Sequence, residues 1–155
     1  MKAALLALAI AGACIASPAM GRDSELCRSL KSFVESVKPD ETRTIEFQTS
    51  WGAGFKGSSE RTMFEKRCIH EEYPPAMNAC NLLMKHGAIE FSDQNFSDAL
   101  SCLSSKTELG SEIQVEQAKV SFSSGTHDRG AHIEISFGWN EEIGGMNLKI
   151  QADGY

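Results

Sequence analysis

Two short neighbourhoods in this chain of 155 residues combine residue types that could do chemistry. Cys68-Ile69-His70 sets a thiol and an imidazole two residues apart, so that on a strand both project from one face. A thiolate beside an imidazole is a nucleophile, and the same two side chains are good metal ligands. His70 also opens the run His70-Glu71-Glu72-Tyr73, where a carboxylate could orient the imidazole as a general base. The second neighbourhood is His127-Asp128, with His132 and Glu134 sharing one face of the segment that follows. Imidazoles and carboxylates at this spacing could hold a metal or move a proton. A catalytic metal takes three protein ligands and a structural one four, so further donors, such as Asn147 or another glutamate, would have to come from elsewhere. Apart from Cys68, no nucleophile is marked for either neighbourhood, since the chain has no GxSxG elbow and no HExxH helix. The glycine-rich stretch from Gly52 to Ser59 lacks the spacing of a phosphate loop and does not open a helix. Composition and motifs thus mark no catalytic set, no metal site and no cofactor site.

The elements that must hold these residues depend on the compartment. Met1-Lys2 is a short positive start, and Ala3 to Ile15 is small and apolar but too short to span a bilayer. Ser17-Pro18-Ala19 fits a signal-peptidase site. Residues 1–20 are therefore read as a signal peptide and residues 21–155 as a single domain. A lipid-anchored alternative would cut before Cys14, although Ala11-Gly12-Ala13 lacks the larger aliphatic residue such a box favours. The mature chain keeps Cys27, Cys68, Cys80 and Cys102, an even number that in an oxidising compartment reads as two disulfides. Cys68 would lie about 7 Å below a strand-to-helix connection and Cys80 about 7 Å along the helix after it, which favours pairing them. Cys27 with Cys102 then follows. A disulfide at Cys68 leaves His70 without a thiol partner.

Hydrophobic periodicity supplies the elements. Leu26, Leu30, Phe33, Val34 and Val37 form a helical stripe behind a cap at Asp23 or Ser24, and Pro39 ends it. Thr44–Trp51 alternates with Ile45, Phe47, Thr49 and Trp51 on one side, and Arg61–His70 reads as a second strand. Pro75 opens a second helix with Ala76, Met77, Cys80, Leu83 and Met84 inward and Gly87 as its stop. Ala88–Phe91 reads as a short strand, and Asn95–Leu103 as a third helix. From Glu112 to Ala152 the chain reads as a three-stranded meander. Ala131, Ile133, Ile135, Phe137 and Trp139 face inward in its middle strand, and Met146, Leu148, Ile150 and Ala152 in its last. A phase slip at Glu116-Gln117 suggests a bulge in the first. The fold class is α+β, two-layered, with about three helices on one face of a mostly antiparallel sheet of about five strands.

The surfaces left for function are two connections. Trp51 precedes the glycine-rich loop and Phe55 lies within it, where aromatic side chains could serve a partner. Glu141 and Glu142 stand in the turn Asn140–Gly145, an acidic tip that could enter a basic cleft. Removing residues 1–20 leaves fourteen Lys and Arg against twenty-one Asp and Glu, a net charge of −7. That charge disfavours nucleic acid and anionic lipid and favours a basic partner, and no basic stripe with interleaved aromatics is present. The expectation is a small exported, disulfide-stabilised, non-enzymatic binding protein, periplasmic or secreted. Its partner is expected to be a protein, such as a cationic envelope or host enzyme that it would inhibit. The alternatives are a small exported hydrolase or metal-dependent enzyme built on His70 or on His127, His132 and Glu134, and a lipid-anchored envelope protein. Asn95-Phe96-Ser97 matches a glycosylation sequon.

Overall fold

A computed structural model describes residues 24–59, 62–107, 109–110 and 112–155. The expected leader, its cleavage site and Cys14 lie outside these residues. The element order is α1 (Glu25–Ser36), β1 (Thr42–Trp51), β2 (Phe64–Ile69), α2 (Pro74–His86), α3 (Asp93–Leu103), β3 (Ala118–Gly125), β4 (Gly130–Asn140) and β5 (Gly145–Gly154). The five strands form one antiparallel sheet in the order β2-β1-β5-β4-β3. The last strand therefore pairs with the first, and the meander β3-β4-β5 continues into the hairpin β1-β2. Helices cover one face, giving the expected two-layer α+β architecture.

The helices form where their caps and stripes predict. Ser24 accepts a hydrogen bond from Cys27 N at 3.1 Å, which satisfies one of the free donors at the start of α1. Leu26, Cys27, Leu30, Phe33 and Val34 are the buried stripe of α1. In α2 the buried positions are Ala76, Ala79, Cys80 and Leu83, whereas Met77 and Met84 remain largely exposed. Gly87 follows α2 without a left-handed turn. A Cβ there would come within 2.7 Å of the Phe47 ring, so the close approach of the helix end to the sheet is what requires glycine.

Both disulfides have the expected partners. Cys27–Cys102 joins α1 to α3, and Cys68–Cys80 joins β2 to α2, with Cα–Cα separations of 5.4 and 5.5 Å. Between them lies the core. Phe33, Ile45, Phe47, Leu83, Phe96, Ile133, Ile135, Leu148 and Ile150 are each fully enclosed.

Four expectations are corrected. The second strand is shorter than expected: Phe64–Ile69, with Thr62, Met63 and His70 outside it, while Arg61 lies outside the described residues. Ala88–Phe91 is not a strand, because Asn95 binds it: its Oδ1 accepts from Ala88 N and its Nδ2 donates to Ala88 O, both at 2.8 Å. That role buries Asn95, the sequon asparagine. The first meander strand starts at Ala118, so the phase slip at Glu116-Gln117 is the end of a loop rather than a bulge. Val115 N in that loop donates to Asp93 Oδ2 at 3.2 Å, and Ile113 is exposed. Finally, Trp51 and Trp139 lie on the inward-phase face yet are not core residues.

The disulfides close chain segments of different length, with sequence separations of 75 and 12 residues. On the chain-entropy account these separations correspond to about 4.5 and about 2.8 kcal/mol. Urea unfolding should therefore show a larger loss of stability for Cys27→Ala/Cys102→Ala than for Cys68→Ala/Cys80→Ala. The reverse order would mean that the short bridge holds native packing rather than limiting the unfolded chain.

Candidate functional site

The two connections singled out in the sequence meet at one end of the sheet. The turn after β4 is held by Asn140, whose Oδ1 accepts from Glu142 N at 2.9 Å and from Ile143 N at 3.4 Å. Gly144 N closes onto Asn140 O at 2.9 Å, and Gly144 adopts φ 67°, a conformation glycine takes without strain. From the other connection, Lys56 reaches across to this turn. Its backbone N donates to Ile143 O at 2.8 Å, and its ammonium donates to Glu141 O at 2.6 Å. The Glu141 carboxylate is 3.9 Å from the same ammonium and remains 84% exposed, as suits a rim residue. Glu142 is exposed beside it.

Phe55 does not serve as a surface aromatic. It is only 3% exposed. The loop after Trp51 folds back over the outer face of the sheet, and Phe55 is the plug that fixes it there. Its N–H donates to Glu65 Oε2 at 2.9 Å, and the Arg67 guanidinium lies over its ring at 4.8 Å. A Cβ on Gly145 would come within 3.0 Å of the ring, so glycine makes room for it. This explains why Gln48 and Ser50, outward in phase, are buried at the sheet's polar face. Ser50 Oγ donates to Ala53 O at 2.7 Å and anchors the loop from below.

The opposite face of this end is apolar and uncovered. Trp51 ends β1 directly opposite Phe64, and Trp139 stands opposite Met146. Trp51, Phe64 and Trp139 are 57%, 56% and 58% exposed, whereas Met63, 70% exposed, lines the loop side with Gly52, Ala53 and Phe55. Both tryptophans of the chain are here. Sequence reasoning assigned Trp139 to the core and left Phe64 without a functional role. Their signal was the run of large apolar residues at strand ends, beyond the reach of any helix stripe. The arrangement is an aromatic platform with an acidic rim, a composition common at the centres of protein interfaces.

The catalytic candidates are not brought together. Cys68 is in a disulfide, so no thiolate faces His70. His70 Nδ1 accepts from Glu72 N at 3.2 Å within a tight turn closed by Tyr73 N on His70 O at 2.9 Å. Glu71 and Glu72 fill that turn at φ 48° and 57°, a left-handed pair that usually falls to Asn-Gly. His127 and Asp128 are almost fully exposed at a hairpin tip, with Nδ1 and Oδ1 3.4 Å apart. His132 lies on the outer sheet face, 3.4 Å from Ser123 Oγ, and Glu134 is paired with Lys119 at 2.9 Å. Among the described residues, no group of three or more His, Cys, Asp or Glu could hold a metal ion. None of the described helices is long and apolar enough to cross a membrane.

A separate groove of about 430 Å³ runs along α3, lined by Phe91, Asp98, Ser101, Leu109 and Ile113 among others. Burial pushes the Asp98 carboxyl up to about 6 from 3.8. Because the folded pKa is raised, the neutral acid's contribution is complete below pH 3.8 and is lost as pH rises through about 6. Asp98 is only half-buried, so screening reduces the effect to about 1 kcal/mol. Asp98→Asn is therefore expected to match the wild type at pH 4 and to exceed it by about 1 kcal/mol at pH 8 in thermal or urea unfolding. An equal gain at both pH values would assign the effect to packing. Glu72→Gly should raise stability by about 1 kcal/mol through relief of the left-handed backbone, whereas a loss would show that the Glu72 side chain holds the turn.

Compared with known proteins, the chain matches no family model, no curated protein and no solved structure.

Proposed function

We propose that this chain is a small exported binding protein, braced by its two disulfides, whose partner is a basic protein docked on the Trp51–Trp139 end of the sheet. The observation that carries the reading is the joining of two independent connections into one surface. Lys56 ties the loop after Trp51 to the turn of Glu141 and Glu142, beside an apolar platform that no described helix covers. A patch of exposed Trp and Phe rimmed by charge is unfavourable in water unless something uses it. The aromatic residues would supply affinity, and the acidic rim and overall negative charge would speed encounter with a cationic surface. Inhibition of a cationic enzyme is one consequence of such docking, since an acidic tip beside an aromatic wall could occupy a basic cleft. Export is supported by the apolar leader in the sequence and agrees with four cysteines paired as two disulfides.

Titration of ¹⁵N-labelled protein with a panel of cationic proteins tests this. The expected result is binding that shifts the indole signals of Trp51 and Trp139 and the amides of residues 139–146, and that weakens with added salt. Trp51→Ala should lower affinity by about thirtyfold, and Glu141→Gln/Glu142→Gln by about threefold, chiefly through slower association. Binding that leaves these signals unmoved, or that survives both sets of substitutions, would place the partner elsewhere.

A further inference from the structure

The two edges of the sheet are unlike. The β2 edge is six residues long, carries Glu65, Lys66 and Arg67 in succession, and is clamped beneath α2 by Cys68–Cys80. Charges and cover of this kind prevent edge pairing. The β3 edge has neither protection. It is eight residues long, Ala118-Lys119-Val120-Ser121-Phe122-Ser123-Ser124-Gly125, and its one charge is engaged by Glu134 within the same sheet. No described strand pairs with its far side. Val120 and Phe122, on the face that helices cover elsewhere, are left half-buried.

The hydrogen-bond phase shows which backbone groups are free. Thr126 N donates to Arg129 O at 2.8 Å at the hairpin end, and Gly130 exchanges bonds with Tyr155 on the β5 side at 3.2 and 3.0 Å. Antiparallel pairs alternate, so Ala118, Val120, Phe122 and Ser124 bond to β4, while the N–H and C=O groups of Lys119, Ser121 and Ser123 point away from the sheet.

We infer that β3 is a homodimerisation edge and that its occupant is the β3 strand of a second copy of this chain. A two-fold axis through Ser121 uses the whole strand. Ser121 pairs with its own copy, and Lys119 pairs with Ser123 of the other strand. Each such pair exchanges two hydrogen bonds. On the apolar face Val120 meets Phe122 of the other copy on both sides of the axis, an aromatic and β-branched pair that favours strand association. No like charges face each other in this register. The two five-stranded sheets become one continuous sheet.

Sedimentation of the exported protein tests the inference. At about 100 µM and physiological salt the wild type is expected to sediment as a dimer that dissociates on dilution. Ser121→Pro removes an outward N–H that does not serve the β4 ladder. Ser121→Lys sets lysine against lysine across the axis while sitting beside Glu134 in the monomer. Both variants are expected to be monomeric, and Ser121→Lys to retain the unfolding midpoint of the wild-type monomer. Amide exchange at Lys119, Ser121 and Ser123 should be at least tenfold slower in the wild-type dimer than in Ser121→Lys. Added salt should strengthen the dimer, because the copies share a negative net charge, whereas it weakens docking of a basic partner. A wild type that stays monomeric at this concentration, or a Ser121→Lys protein that still dimerises, would overturn the inference.

Discussion

The structure depends on a mismatch in area between its two layers. Five strands spaced about 4.8 Å apart and averaging about 30 Å long present one apolar face of about 700 Å². Helices of 12, 13 and 11 residues are each only about 18 Å long and about 10 Å wide, and together cover about 540 Å². The described helices are therefore too few and too short to hide the whole face. They sit over Ile45, Phe47, Ile133, Ile135, Leu148 and Ile150, which are fully buried. The shortfall emerges at the sheet end bearing Trp51, Phe64 and Trp139, and along β3, where Val120 and Phe122 remain half-buried. The surface that suits a partner and the edge that suits a second copy are two results of one deficit.

The disulfides decide where the covered area lies. Cys68–Cys80 pins α2 above β2, and Lys66 completes that contact by donating to Met84 O at 3.1 Å. Cys27–Cys102 binds α1 to α3, and Phe96 rests against Phe137 with ring centroids 6.0 Å apart, which sets α3 over β4. Tyr73 ties α1 to the start of α2 by donating to Ser36 O at 3.0 Å, with the Arg43 guanidinium over its ring at 4.6 Å. On the polar face the loop around Phe55 does the opposite work. It covers a part of the sheet that needed no apolar cover, and so holds the Glu141–Glu142 turn in a fixed position.

Much of this was legible in the sequence, for physical reasons. Period-two alternation in β4 and β5 is a local property, so the inward residues could be read directly. The disulfide pairing followed from the rise per residue along a strand and a helix. The inward phase of Trp51 and Trp139 was also correct, but phase does not reveal how far a helix reaches from elsewhere in the chain, so their exposure was missed. Phe55 was read as a surface aromatic because its burial depends on Glu65, Arg67 and Gly145, none of which adjoins it in sequence. Ala88–Phe91 has the composition of a strand, and only a side chain seven residues on, Asn95, shows that its backbone bonds go elsewhere. The side-chain pairings around the catalytic candidates were hidden for the same reason. Spacing placed His127, His132 and Glu134 near one another, but tertiary pairing gave Glu134 to Lys119 and left His127 at a hairpin tip.

The exposed aromatic end is the claim on which the functional reading stands. Because the chain has only two tryptophans and both lie there, intrinsic fluorescence reports on that surface alone. Tryptophan emission and acrylamide quenching of the native protein, before any partner is added, is the most direct measurement. Native emission close to that of the unfolded chain, with quenching nearly as efficient, is the expected result. Blue-shifted emission that resists acrylamide in a monomer would mean that Trp51 and Trp139 are already covered by this chain, leaving no platform for a partner.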